Sequence, residues 1–162
     1  MKYEKIPGTM SKYNPDIAIR EASLEEAFSV AQQVPELDNR YPFKNWEEKL
    51  YGKEPLILVA YMNGVPAGLK IGYNKWNDNR FYSWIGGVIP EFRRKGVALE
   101  LLDEIEHYAR ENGFSLLEMK TYNHHKEMIF FALKHGFSIY TAKKDPKVDD
   151  IALYLRKEIQ NR

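Results

Sequence analysis

At 162 residues the chain is most simply a single domain, which we place at residues 1–162, with residues 1–15 as a loosely ordered N-terminal extension. A formal net charge of +1 argues against nucleic acid or an anionic membrane as partner, and the absence of cysteine excludes disulfides, thiolate metal sites and a cysteine nucleophile. The first residues lack the apolar core of a signal peptide and no apolar run approaches a membrane span, so the sequence predicts a cytoplasmic protein.

The first third of the chain predicts one strand and two helices. Residues 17–20 predict the strand. Ser23 then has the features of a helix N-cap, and Glu26 three residues later completes a capping box ahead of an apolar stripe that runs to Pro35. Residues 46–51 predict a second, shorter helix.

The middle of the chain predicts three strands in a meander. Residues 56–62 are so apolar that both faces of this strand are expected to be covered. Asn63-Gly64 favours a tight hairpin, because both residues tolerate positive φ, and the return strand spans residues 67–73. Residues 81–89 form a fourth strand, in which Gly86-Gly87 is costly unless a bulge or a close ligand requires it.

The longest helix is predicted from Gly96 to about Asn112, and Gly113 supplies the left-handed residue at its end. The remaining pattern predicts a strand, a helix and two strands at residues 115–121, 126–135, 137–142 and 151–155. This order of elements predicts a mixed α/β (α+β) sheet of six to seven strands, covered on both faces, and not a doubly wound parallel sheet.

A basic loop precedes the long helix, where Arg93, Arg94 and Lys95 are followed by Gly96. The first N–H groups of a helix have no partner within it, and with the positive end of the helix dipole they form a phosphate site. A solvated turn is the alternative for a short basic run. Other phosphate loops fit worse, because no Gly-Lys-Ser/Thr sequence occurs and a dinucleotide fingerprint needs three glycines. The loop therefore predicts a phosphorylated small-molecule ligand.

The pattern Arg93-x-x-Gly96-x-Ala98 resembles the phosphate-loop signature of the GNAT superfamily of acyl-CoA-dependent N-acyltransferases, Arg/Gln-x-x-Gly-x-Gly/Ala. The resemblance is close over residues 81–137. It implies a central, mostly antiparallel sheet of six to seven strands, with splayed fourth and fifth strands and about four flanking helices. It also implies transfer of an acetyl group from acetyl-CoA to a primary amine of a small molecule or protein, by direct attack on the thioester. A homodimer is common in the family.

The resemblance also assigns an acetyl-CoA site. The backbone from Arg94 to Ala98 is expected to hold the pyrophosphate, and a bulge at Gly86-Gly87 is expected to splay the strands and open a slot for pantetheine. The full set of expected cofactor-binding residues is Val88, Ile89, Arg93, Arg94, Lys95, Gly96, Val97, Ala98 and Asn123.

The expected catalytic residues depart from the usual pattern of the family. Family members often protonate the departing thiolate with a tyrosine four residues before the glycine that ends the short helix, and this chain has Ala132 there. Tyr122 and Tyr140 are the nearby substitutes, although a thiol with a pKa near ~8.5 can also leave as the anion. Glu118 is the expected base if its side chain faces the slot. The missing tyrosine also supports a rival hypothesis, a non-catalytic sensor of CoA or acetyl-CoA.

The sequence predicts an acceptor pocket only in outline. Glu36 and Asp38, in the loop after the first helix, are expected to attract a cationic acceptor. Aromatic residues of several segments are expected to shape the pocket, with core packing as the alternative for those on strands: Tyr41, Phe43, Trp46, Tyr73, Tyr82 and Trp84.

Two other patterns carry less weight. The pair His124-His125 suggests a metal site as one hypothesis. Adjacent side chains point apart, however, and the sequence has no further ligands at a supporting spacing, so we expect no metal. The basic run with its neighbouring aromatics invites a nucleic-acid patch, which the net charge near zero disfavours. We therefore expect neither nucleic acid nor a membrane as partner.

Overall fold

The computed structural model describes residues 11, 13–37 and 41–159, which form a single sheet with helices on both faces. The strands are β1 (Ile17–Glu21), β2 (Leu56–Met62), β3 (Val65–Tyr73), β4 (Arg80–Val88), β5 (Leu116–Tyr122), β6 (Ser138–Asp145) and β7 (Asp150–Glu158). The helices are α1 (Leu24–Ala31), α2 (Phe43–Leu50), α3 (Val97–Glu111) and α4 (Lys126–Lys134), and a 3₁₀ turn at Pro90–Phe92 follows β4. Within these residues no helix is both long and apolar enough to cross a membrane.

The strands are arranged in the order β1-β2-β3-β4-β5-β7-β6. All neighbouring strands are antiparallel except β4 and β5. This parallel pair extends only from Arg80 opposite Leu116 to Ser83 opposite Met119, and the strands separate beyond that point. The predicted mixed, mostly antiparallel sheet with splayed fourth and fifth strands and four flanking helices is therefore confirmed.

The two faces of the sheet have separate apolar cores. On one face, Leu101 and Ile105 of α3 pack with Phe81 and Leu117 of the central strands. On the other face, α1 packs on β2 and β3, and α2 reaches β4 through an edge-to-face contact of Trp46 with Trp84, whose ring centroids are 5.1 Å apart. The central strands are thus covered on both sides, as their apolar sequences predict.

The start of β3 differs from the prediction. Pro66 has no N–H to give to a neighbouring strand, which favours a later start for this strand. The structure nevertheless begins β3 at Val65, because the pairing with β2 shifts by one residue directly after Pro66, which lies opposite Tyr61. A β-bulge thus accommodates the proline within the hairpin.

The predicted helix ends agree with the structure at α3 and in part at α1. The Ser23 Oγ accepts a hydrogen bond from the N–H of Glu26 at 3.1 Å, as an N-cap should. Gly113 follows α3 with φ of +82°, in the left-handed region. The first helix ends at Ala31, however, because the chain continues in turns rather than helix towards Pro35.

Candidate functional site

A β-bulge in β4 marks the point where β4 and β5 separate. Along the β3–β4 pairing, Ile71 lies opposite Ile85 but Gly72 lies opposite Ser83, which leaves Trp84 as the extra residue. The parallel pairing with β5 also ends at Ser83. Because a bulge bends and twists its strand, this one directs the rest of β4 away from β5.

The bulge does not lie where the sequence predicts it. Gly86 and Gly87 pair in register with Lys70 and Leu69 of β3, so the expectation of a bulge at the two glycines is wrong. Gly87 has a packing role instead, since a Cβ there would lie only 2.8 Å from Cγ1 of Val34. The segment after α1 can therefore lie directly against β4.

The separated strands enclose a cleft of about 560 Å³. Such a volume is suitable for a small-molecule ligand or for part of a larger one. One wall is formed by β4 from Ser83 to Val88, and the other by β5 from Met119 to Tyr122. The lining is completed by residues of the segment after α1, of β3, of the basic loop, of α3 and of α4: Val34, Glu36, Leu37, Leu69, Lys70, Arg93, Arg94, Ala98, Leu101, His124, His125, Lys126, Glu127, Met128 and Phe131.

The basic loop at the mouth of the cleft has the backbone of an anion site. Arg94 has φ of +62° and Gly96 has φ of +92°, and alternation of this kind turns successive N–H groups to one side. The first helical hydrogen bond runs from Glu100 N–H to Gly96 O, so the N–H groups of Val97 and Ala98 have no partner within α3. These donors and the helix dipole favour a phosphate at this position.

Arg93 does not extend freely from the loop. Its Nη1 donates to Glu36 Oε1 at 2.8 Å, its Nη2 to the other carboxylate oxygen, and its Nε to Val88 O at 3.0 Å. The hydrogen bonds from Arg93 hold the pKa of the Glu36 carboxyl below its usual value. Glu36 is thus bound by the basic loop, and Asp38, the other acid expected to attract a cationic acceptor, lies outside the described residues.

Residues 11, 13 and 14 of the N-terminal segment contact the basic loop and the first turn of α3. Glu100, in the first turn of α3, is buried and accepts hydrogen bonds from Ser11 Oγ and from the N–H of Tyr13, the latter at 2.8 Å. Asn14 Nδ2 donates to Lys95 O at 3.1 Å. Residues 1–10 and 12 of the expected loose extension lie outside the described residues, but the rest of it contacts α3 and the loop.

The expected cofactor-binding residues fall into three groups. Val88, Arg93, Arg94 and Ala98 line the cleft, and Lys95 and Gly96 complete the loop at its mouth. Ile89 and Val97 are buried in the two cores, so only their backbone groups are available to a ligand. Asn123 accepts a hydrogen bond from Lys126 Nζ at 3.0 Å and is not among the residues that line the cleft.

The expected catalytic residues are separated by the structure. Tyr122 lines the cleft, and its hydroxyl donates to Asp145 Oδ2 at 2.8 Å. Burial and the hydrogen bond to Asp145 raise the pKa of Tyr122. Glu118 and Tyr140 lie outside the cleft lining and bind each other, with a distance of 3.0 Å from the Tyr140 hydroxyl to Glu118 Oε2. Ala132, in the usual tyrosine position, is fully buried.

Glu118 is the centre of a charged cluster on the face of α1 and α2. Its side chain is buried and lies 3.7 Å from Arg80 Nη1 and 3.8 Å from Arg156 Nη2, both measured to Glu118 Oε1. Arg80 also binds Asp78. The two guanidinium groups stabilise the buried carboxylate, whose burial would otherwise be costly.

The sequence analysis missed Lys70 as a cleft residue. A Cβ added to Gly86 would lie 3.3 Å from Lys70 Nζ, so the ammonium group sits beside the glycine at the cleft wall. Burial lowers the pKa of Lys70 to about 8, and the charge of Glu106 partly offsets this effect. The available signal was a single charged residue within the otherwise apolar strand β3.

Two histidines at the start of α4 also line the cleft. His124 Nδ1 pairs with Asp150 Oδ2, and the hydrogen bond to His124 lowers the pKa of Asp150 to about 2. Burial, with the nearby charge of His124, lowers the pKa of His125. No group of three histidine, aspartate or glutamate side chains with the arrangement of a metal site occurs among the described residues.

A mixed sheet that opens between two parallel strands, with a helix N-terminus at the opening, is the architecture of an acyltransferase. The family model for the acetyltransferase (GNAT) family matches residues 19–137. The chain therefore belongs to the GNAT acetyltransferase family, as the loop sequence indicates. No curated protein matches the chain significantly in sequence.

Solved structures with low sequence identity share the fold. The ribosomal-protein-S18-alanine N-acetyltransferase from Escherichia coli is 16% identical, with a TM-score of 0.75 over 89% of this chain and 94% of that one. Ard1 from Thermoplasma volcanium is 21% identical, with a TM-score of 0.74 over 90% and 99%. The yncA protein from Salmonella typhimurium, solved with its cofactor acetyl-CoA, is 16% identical, with a TM-score of 0.67 over 91% and 96%.

Proposed function

We propose that this protein is an N-acetyltransferase that moves the acetyl group of acetyl-CoA to a primary amine. The observation that carries the proposal is the continuous path from the phosphate loop into the cleft between β4 and β5. Family membership supports it, and a relative of the same fold has acetyl-CoA as its cofactor.

The cleft suits the chemical parts of acetyl-CoA. The N–H groups of Val97 and Ala98 and the side chain of Arg94 would hold the pyrophosphate. Beyond Ser83, the side of β4 that faces β5 has no strand to pair with, so its backbone N–H and C=O groups are available to the amides of pantetheine. The thioester end would then lie near the bulge at Trp84.

The chemistry needs no nucleophile from the protein. Acetyl-CoA supplies an activated thioester, and the acceptor amine forms a C–N bond at its carbonyl carbon as the C–S bond breaks. Backbone N–H groups of β4 beyond the bulge are positioned to bind the carbonyl oxygen. Because a thiol has a pKa near ~8.5, the sulfur can leave as the anion, so the loss of the usual tyrosine at Ala132 is tolerable.

We assign Tyr122 to the departing sulfur, because it is the candidate tyrosine that lines the cleft. Its hydroxyl would turn from Asp145 Oδ2 to donate to the sulfur. Glu118 and Tyr140 bind each other outside the lining, and we assign them to stabilising the strands beside the cleft rather than to the reaction. These roles leave the acceptor proton to water or to an amine that binds without its proton.

Two measurements test the proposal. Isothermal titration should show acetyl-CoA binding that weakens in Arg94→Glu and stays unchanged in Lys134→Glu, an exposed position on α4. Thiol release across a panel of primary amines should show amine-dependent turnover. No binding of acetyl-CoA would overturn the proposal, and binding without release to any amine would favour the sensor that Ala132 suggests.

A further inference from the structure

Three lysines lie at or beside the cleft on the face of α1 and α2. Lys49 of α2 has its Nζ 5.3 Å from the ring centroid of Trp84. Lys75, in the turn after β3, has its Nζ 4.5 Å from the ring centroid of Tyr82. Lys120 of β5 lines the cleft itself. Trp84 and Tyr82 thus each have one ammonium group beside the aromatic ring, and Lys120 adds a third at the cleft wall.

Two of these three lysines have no ion-pair partner in the part of the chain that the structure describes. Among the described residues, neither Lys49 nor Lys75 forms an ion pair. The lysines also act on one another, since burial and then the charges of Lys75 and Lys120 lower the pKa of Lys49. Charges that shift one another's pKa values in this way lie close together in space.

Two carboxylates on this face are shared with other groups. Glu118 is enclosed by Arg80, Arg156 and the Tyr140 hydroxyl, although its charge still acts on Lys75. Asp145 accepts the Tyr122 hydrogen bond and lies 3.9 Å from Lys120 Nζ. Lys49 and Lys75 therefore keep their positive charge without an ion-paired carboxylate among the residues described, which disfavours a polycationic acceptor.

We propose that the acceptor is a small amine that also carries an anionic group, a carboxylate or a phosphate. The inference rests on the proposed N-acetyltransferase function and names its substrate class. The anion would bind between Lys49, Lys75 and Lys120, with the apolar part of the molecule on Trp84 and Tyr82, and the amine would face the thioester.

The same charges favour the reactive form of the amine. An ammonium group beside three lysines is destabilised relative to the neutral amine, so the pKa of the bound acceptor falls. The anionic group of the acceptor binds the lysines. Their positive charge also favours loss of the proton from the acceptor amine, which must occur before the amine attacks the thioester. This arrangement offers a physical route to a neutral nucleophile without a dedicated carboxylate base.

The experiment compares matched pairs of amines in the thiol-release assay with the full chain. The pairs are phenylalanine with phenylalaninamide, leucine with leucinamide and phosphoethanolamine with ethanolamine, and spermidine is the polycation. We expect the best acceptor to carry the anion and to exceed its neutral partner about tenfold or more in kcat/KM. The first two pairs and the third distinguish carboxylate from phosphate.

Lysine-to-glutamine variants test whether the preference for an anionic amine arises from Lys49 and Lys75. Lys49→Gln and Lys75→Gln should each lower kcat/KM for the anionic amine severalfold and by a larger factor than for its partner without the anion, whereas Lys134→Gln, at an exposed position on α4, should change neither. Equal or faster turnover of the neutral amines or spermidine would overturn the inference and leave the proposed function standing. An unchanged preference in both variants would also overturn it.

Absence of turnover with every amine would count against the proposed function. Titration with acetyl-CoA then shows whether the cofactor site itself has failed.

Discussion

The guanidinium of Arg93 binds the carboxylate of Glu36 through both Nη atoms, while its Nε donates to Val88 O. This contact joins the segment after α1 to the end of β4 and the start of the cofactor loop. An arginine engaged in this way has few donors left for a phosphate. Arg94, adjacent in sequence, is exposed at the mouth of the cleft, so the two residues have different roles.

We therefore predict different results for charge reversal at the two arginines. Arg94→Glu should weaken acetyl-CoA binding about tenfold with little change in melting temperature, because an exposed charge contributes little to folding. Arg93→Glu should weaken binding and also lower the melting temperature, because it places two carboxylates together. Calorimetric titration and thermal unfolding measure both effects, and Lys134→Glu is the control. A loss of stability in Arg94→Glu alone would contradict the assignment.

Gly96→Ala tests the backbone of the loop. A Cβ at this position meets nothing closer than 3.5 Å, so the strain comes from φ of +92° and should lower the free energy of unfolding by roughly 1–2 kcal/mol. Any relaxation of φ would turn the loop N–H groups and weaken acetyl-CoA binding. Gly52→Ala is a matched control, because Gly52 has φ of +70° in open space. It should lose comparable stability and keep full affinity; equal loss of affinity in both variants would refute the prediction.

Lys70→Met tests the buried lysine through pH. Its pKa is about 8 in the folded protein and near ~10.4 in an unfolded chain. Between these values the unfolded chain holds a proton that the folded protein has released, so the stability of the parent protein rises with pH. The slope is at most about 1.4 kcal/mol per pH unit.

We expect Lys70→Met to be the more stable protein near neutral pH, because it removes a buried charge. Its advantage should shrink as the pH rises through the folded pKa of about 8 and beyond. Urea unfolding at a series of pH values measures the difference. Lys134→Met controls for the loss of a lysine at an exposed site. A stability difference that does not change with pH would show that Lys70 keeps an ordinary pKa.

Tyrosine-to-phenylalanine variants separate the cleft from the charged cluster beside it. Tyr122→Phe should lower kcat about tenfold, less than a typical general acid, because the thiolate leaves readily. Tyr140→Phe should leave kcat nearly unchanged but lower the free energy of unfolding by about 1 kcal/mol, since the buried Glu118 carboxylate loses a hydrogen bond. Steady-state kinetics and chemical unfolding measure the two effects. A larger kinetic defect in Tyr140→Phe would reverse the assignment.

Local sequence signals predicted the fold, and the position of the basic loop before α3, well. The hairpin at Asn63-Gly64, the helix end at Gly113 and the glycine at the start of α3 each depend on backbone conformations that few other residues adopt. Such requirements act within a few residues, so they can be recognised without knowledge of the tertiary structure. The order of the elements then restricts the sheet to few arrangements.

Contacts between distant segments were harder to predict. Glycines in a strand indicate either a bulge or a close neighbour, and only the position of Val34 shows that Gly87 serves the second purpose. The sequence does not indicate that Glu36 binds Arg93, because the two residues are 57 positions apart. Lys49, Lys75 and Lys120 lie on three different segments, α2, the turn after β3 and β5, so no spacing in the sequence groups them at the cleft.

The short pairing of β4 with β5 has a mechanical consequence. Among the described residues, four residue pairs, from Arg80–Leu116 to Ser83–Met119, join the strands β1 to β4 with the strands β5 to β7 within the sheet. A ligand that bonds to β4 on one side and contacts β5 and α4 on the other adds a second connection between these halves. A bound ligand should therefore slow hydrogen exchange of the β4 amides beyond Ser83. With the ligand bound, the two halves of the sheet would unfold together, whereas without it they can separate between β4 and β5.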